Sequence, residues 1–91
     1  VLSRLFATIE ARTGASPDSS YTAKLLHKGA KKCAQKVGEE AVEVVIESKD
    51  DNIDLFKNEA ADLLYHLLIL FKVKGVTMAD IEDILKQRSQ K

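Results

Sequence analysis

KVGEEAVEVVIE (residues 36–47) and NEAADLLYHLLIL (residues 58–70) decide how this chain folds, because apolar residues recur in both at helical spacing and neither alternates with period two. Working outward, the same periodicity fills the chain, so the sequence predicts an all-α protein. Upstream of residue 36, Leu26, Ala30, Cys33 and Ala34 share a stripe with Val37, Ala41, Val44 and Val45 when projected at about 100° per residue. This predicts one long second helix from near Thr22 to about Ser48, with Ser20 or Thr22 as its cap. Before it, Leu2, Leu5, Phe6 and Ile9 mark a first helix stopped near Gly14, followed by a turn from Ala15 to Ser20 that contains Pro17 and Asp18. A third helix, apolar on nearly every side, is expected from a cap at Asp50 or Asp51 to about Lys74, with Gly75 in the left-handed terminal position. Thr77 and Asp80 form a capping-box variant for a fourth helix with Met78, Ile81, Ile84 and Leu85 as its buried stripe. Short links make neighbouring helices antiparallel.

With 91 residues, residues 1–91 are read as one domain with a thin core, so self-association into a homo-oligomer is the default expectation. Fourteen basic residues cancel fourteen acidic ones, which removes a global electrostatic reason to expect nucleic acid or an anionic membrane as partner. The longest apolar stretch, Leu63 to Phe71, contains His66 and falls far below the roughly 18 apolar residues of a membrane span. A single cysteine, Cys33, forms no internal disulfide, and a reducing cytoplasmic setting is expected.

The chemistry lies in the acids. Glu40 and Glu43 are three apart and Glu47 follows four later, on one flank beside the apolar stripe. Taken alone this cluster is equally compatible with a solvated surface. Glu59 and Asp62 are also three apart, and Glu59 projects between Phe56, Leu63 and Leu70, where a helix of this kind faces the core. An ionised carboxylate held there costs several kcal/mol unless a cation or hydrogen-bond donors compensate it, roughly speaking. Packed antiparallel, the second and third helices bring Glu40 and Glu43 opposite Glu59 and Asp62, and such an all-oxygen set suits Mg2+ or Mn2+. One Cys and two His without C-x-x-C or H-E-x-x-H spacing do not make a zinc site, and the Glu-x-x-His pattern of di-iron bundles is absent. Lys24, Lys28, Lys32 and Lys36 form a basic stripe leading into Glu39 and Glu40. Lys36 and Lys32 are candidates for binding phosphate, set against the plain alternative of solvated lysines with Lys36 paired to Glu40. His66, on the side of Glu59 and Asp62, is either a hydrogen-bond partner of a ligand carboxylate or a satisfied core histidine. Tyr21 fits two roles, substrate contact or staple of the helix start, while His27 and Cys33 read as structural.

Glu40-x-x-Glu43, fifteen residues, then Glu59-x-x-Asp62 resembles the signature of the MazG-like all-α nucleoside triphosphate pyrophosphohydrolases. SYTAKLLHKGAKKCAQKVGEEAVEV (residues 20–44) together with NEAADLLYHLLIL narrows this to a resemblance to the phosphoribosyl-ATP pyrophosphohydrolases, over nearly the whole chain. The resemblance implies a four-helix arrangement that assembles as an interlocked homodimer, and the second step of histidine biosynthesis, in which phosphoribosyl-ATP and water give phosphoribosyl-AMP and pyrophosphate. It implies Mg2+ bound by Glu40, Glu43, Glu59 and Asp62, with Glu39 as a further ligand, a supporting group or the base that activates water together with Glu40. Many relatives carry a fused cyclohydrolase domain, and this chain is expected to be the stand-alone form. A G-x-x-x-x-G-K-[ST] phosphate loop and the Nudix pattern are both missing. The alternatives are a MazG-like housekeeping hydrolase of ordinary nucleotides and a non-enzymatic helical dimerisation module.

Overall fold

Residues 1–12 and 21–89 are described by the computed structural model, and they form helices linked by short turns. These are α1 (Leu2–Ala11), α2 (Tyr21–Lys28), α3 (Ala30–Glu47), α4 (Ile53–Lys74) and α5 (Met78–Ser89). The all-α expectation holds. The turn expected from Ala15 to Ser20 and the Ser20 cap lie outside the described residues.

One expected helix is two. Gly29 has φ 87° and ψ −178°, a conformation essentially reserved for glycine, and it separates α2 from α3. Gly29 belongs to both helices, since its N–H donates to the Leu26 carbonyl at 3.3 Å and its carbonyl accepts from Cys33 N–H at 3.1 Å. The apolar period continues across the break, which is why periodicity alone ran the two segments together.

The cap of α4 is also one residue away from the expected pair. Asn52, rather than Asp50 or Asp51, accepts from Leu55 N–H at 3.0 Å, while Asp50 takes the Asp51 N–H at 2.7 Å. At the other end Gly75 is left-handed, with its N–H on the Lys72 carbonyl at 3.2 Å and Val76 N–H on the Phe71 carbonyl at 2.9 Å. That is the paired closure that a C-terminal glycine allows. Thr77 and Asp80 cap α5 reciprocally, at 2.9 Å and 3.1 Å.

The α3–α4 hairpin is the backbone of the fold, and α1 and α2 close over one end of it. The core gathers there: Phe6 and Ile9 from α1, Leu25 from α2, Cys33 from α3, and Leu68 and Ile69 from α4. Each fully buried large aliphatic contributes roughly 1.5–3 kcal/mol relative to exposure. Helix α5 buries none of its residues: Met78 and Ile81 are half-buried, whereas Ile84 and Leu85 are exposed. The second half of the stripe expected to lie in the core is therefore uncovered within one chain.

Candidate metal centre

Halfway along the hairpin, the antiparallel pairing of α3 and α4 faces two turns of carboxylates against each other. Glu40 and Glu43, from one flank of α3, meet Glu59 of α4, and one carboxylate oxygen of each lies within 4.8 Å of the others. Glu40 is buried, Glu59 half-buried and Glu43 exposed. Oε2 of Glu40 and of Glu59 is shut off from water without a hydrogen-bond partner, a costly arrangement for two anions. Glu59 responds accordingly. Its carboxyl is pushed up to about 7, first by sharing a proton with Glu43, then by partial burial and by the negative charges of Glu43 and Glu40. Three convergent carboxylates, two of them with orphaned buried oxygens, are the arrangement a hard divalent cation would satisfy.

Asp62 stands apart from this trio. It is exposed, one turn beyond Glu59 on α4, and its carboxylate is outside the three-residue cluster. Glu47, one turn beyond Glu43 on α3, holds a third buried oxygen without a partner, so the acidic flank read from the sequence continues past the trio. Its spacing of four from Glu43 was the available signal.

Glu39 is exposed and is not one of the three clustered carboxylates. It accepts from the Gln35 amide at 3.0 Å and pairs with the Lys36 ammonium at 3.3 Å. The Gln35 hydrogen bond first, then the Lys36 contact, hold its carboxyl below the ordinary range. Lys36 is raised in turn, chiefly by the Glu39 hydrogen bond. Its partner is thus Glu39 rather than Glu40. Lys32 and Lys36, one turn apart on α3, are both half-buried, whereas Lys24 and Lys28 on α2 are exposed. The break at Gly29 divides the basic stripe into these two pairs.

His66 does not hold a ligand carboxylate. It is buried, and Nδ1 lies 2.8 Å from the Asp62 carbonyl oxygen while Nε2 lies 2.8 Å from the Tyr21 hydroxyl. A carbonyl can only accept, so Nδ1 carries a proton, which leaves Nε2 of the Nδ1–H tautomer to accept from the Tyr21 hydroxyl. The Tyr65 ring stacks beside Tyr21 with centroids 6.3 Å apart and planes 25° apart, and the Tyr65 hydroxyl hydrogen-bonds Thr22. Burial raises the Tyr21 phenol, against the lowering influence of Lys36, with Glu40 also acting on it. Cys33 is raised by burial alone, and its thiol donates to the Leu25 carbonyl at 3.4 Å, a structural role as expected.

No described helix is long and apolar enough to cross a membrane. Comparison with known proteins then bears on the same residues. The phosphoribosyl-ATP pyrophosphatase of Jannaschia sp. (strain CCS1) is 55% identical over 87 residues, spanning 96% of this chain and 85% of that protein. That of Cereibacter sphaeroides (strain ATCC 17029 / ATH 2.4.9) is 54% identical over 88 residues, spanning 97% and 85%. The Azospirillum brasilense protein of the same name is 53% identical over 88 residues, spanning 97% and 79%. Residues 2–89 match the family described as phosphoribosyl-ATP pyrophosphohydrolase, and with the α3–α4 carboxylate site falling inside that match, the chain belongs to this family.

Proposed function

We infer that this chain hydrolyses phosphoribosyl-ATP to phosphoribosyl-AMP and pyrophosphate, the second step of L-histidine biosynthesis, in a cytoplasmic setting. The observation that carries the reading is the convergence of Glu40, Glu43 and Glu59, with two orphaned buried oxygens, inside a chain of this family. These three and Asp62 are the residues that would hold Mg2+, with Mn2+ as a substitute. A divalent ion bound there offsets phosphate charge and makes water a better nucleophile.

The chain's own groups do the rest. Lys36 and Lys32 bind the phosphates, their ammonium groups lying on the face of α3 that leads to Glu40. Glu39, kept ionised by Gln35 and Lys36, accepts a proton from the attacking water. Glu40 would share in orienting that water. His66 supports the site indirectly, through Tyr21 and the Asp62 turn.

A homodimer is the working unit, and residues 1–91 form one domain of it. The exposed apolar side chains Val42, Val45, Ile46, Ile53, Ile84 and Leu85 support this, because each is at least 46% exposed in the single chain.

The test is pyrophosphate release from phosphoribosyl-ATP with Mg2+, run beside ATP, dUTP and dCTP and repeated with Glu40→Gln. Turnover confined to phosphoribosyl-ATP and lost in the variant is the expected result. Turnover of the ordinary nucleotides instead would move the chain to a housekeeping role, and no turnover at all would leave a structural module. A second readout needs no substrate. Mg2+ at about 100 times its Kd should stabilise the wild type by roughly 2.7 kcal/mol, and Glu59→Gln should abolish that gain.

A further inference from the structure

Five aromatic side chains occur in this protein, and Tyr21 is the one that stands more than a third exposed, at 51%. Exposure of this kind normally goes with mobility. Here it does not: the hydroxyl is tied to buried His66 at 2.8 Å, the ring packs edge-on to the His66 ring with centroids 5.9 Å apart, and Tyr65 stacks alongside. His66 is fixed in turn by the Asp62 carbonyl. Two side chains, His66 and Tyr65, thus hold the ring still, close enough to Lys36 and Glu40 for both charges to act on it. The hydroxyl contact to Nε2 and the Tyr65 stack orient the ring while about half of it stays open to solvent. An immobilised, wet aromatic surface is a contact that a planar ligand gains at little entropic cost.

Two further observations say what such a ligand is. The lysines assigned to the phosphates above, Lys32 and Lys36, lie on α3, whereas Tyr21 comes from α2, so the polyphosphate and the ring have separate places. The base also has an unusual property. A sugar on N1 of adenine leaves the exocyclic nitrogen strongly basic, so the purine of phosphoribosyl-ATP is a cation at neutral pH, unlike that of ATP. Cations are attracted to the face of an aromatic ring, and neutral purines less so.

We propose that Tyr21, locked by His66 and Tyr65, is the specificity-determining contact that receives the N1-ribosylated, positively charged adenine and so distinguishes phosphoribosyl-ATP from ATP. This rests on the reaction inferred above. Tyr21 touches the base and takes no part in the bond cleavage, and His66 and Tyr65 are positioning residues.

The experiment compares wild type, Tyr21→Phe and Tyr21→Leu. In Tyr21→Leu, KM for phosphoribosyl-ATP should rise roughly tenfold with kcat changed much less, as expected for loss of a cation–π or stacking contact. Tyr21→Phe keeps the ring and should lose no more than about threefold. Inhibition by inorganic pyrophosphate should be the same in all three, because it engages only the phosphate end. Calorimetric binding of N1-methyl-AMP against AMP completes the set: wild type should favour the N1-methylated nucleotide, and Tyr21→Leu should not. Equal binding of the two by wild type, or an unchanged KM and preference in Tyr21→Leu, would overturn the proposal, the first of these without depending on how any variant folds. Wild type that releases no pyrophosphate from phosphoribosyl-ATP would instead overturn the reaction, and the nucleoside monophosphate titrations would still decide the role of Tyr21.

Discussion

At one end of the α3–α4 hairpin Cys33, Leu68 and Ile69 are 0%, 3% and 0% exposed, sealed by Phe6, Ile9 and Leu25 from α1 and α2. At the other end Val42, Val45, Ile46 and Ile53 are 56–58% exposed, though they are equally apolar and lie on the same two helices. The carboxylates occupy the stretch between. The difference teaches that the two ends have different partners: the covered end is finished by the chain itself, and the uncovered end keeps an apolar surface that only another molecule can cover. A site placed at the boundary inherits burial from one side and access from the other, which is why Glu40 is buried while Glu43 is not.

The comparison is broken most severely at the covered end. Ile69→Ala removes a side chain with no exposure at all and should cost about 2–5 kcal/mol in urea or thermal unfolding. Val45→Ala at the uncovered end should cost under roughly 0.5 kcal/mol if measured on a monomer. If a second copy covers that end, Ile46→Asp should convert a dimer to a monomer in light scattering and remove the dependence of Tm on protein concentration. Next in size is the hinge that lets α2 fold over the covered end. Gly29→Ala introduces no clash, because nothing lies within 4 Å of the added carbon, yet its backbone conformation should cost on the order of 1–3 kcal/mol in denaturant unfolding.

Smaller again is the start of α4, beside the uncovered end. Asn52→Ala removes the acceptor of the Leu55 N–H and should cost about 1 kcal/mol, with Asp51→Ala costing less. The gentlest probe is pH. Glu59 titrates near 4.5 when unfolded and is pushed up to about 7 when folded without metal. The folded protein therefore holds more protons between those values, and its contribution to stability is full below the lower one and lost as pH rises through the upper one. Metal-free protein should lose stability from pH 4.5 to above 7, and Glu59→Gln should flatten that slope in thermal unfolding.

Much of this was legible in the sequence because it is local. The reciprocal cap of Thr77 and Asp80, the left-handed Gly75 and the helical spacing of the acids each need only three or four residues of context. Glu59 announced itself as a carboxylate inside an apolar stripe, and its orphaned oxygen bears out that anomaly. Gly29 was legible in principle, but the apolar period on either side of it overrode a residue whose role depends on a dihedral angle.

The sequence by itself determined that the chain is helical, where most helices begin and end, and that Glu40 and Glu43 share one flank of their helix, because hydrogen-bond closure and the 3.6-residue period act within a few residues. Tertiary structure alone decided that Glu59 meets Glu40 and Glu43 while Asp62 stands outside the trio, that His66 holds Tyr21 rather than a ligand, and that Ile84 and Leu85 of α5 stay uncovered. Those outcomes depend on which groups meet across 45 residues of chain, as Tyr21 and His66 do, and on how much surface one copy has to bury. No local pattern carries that information.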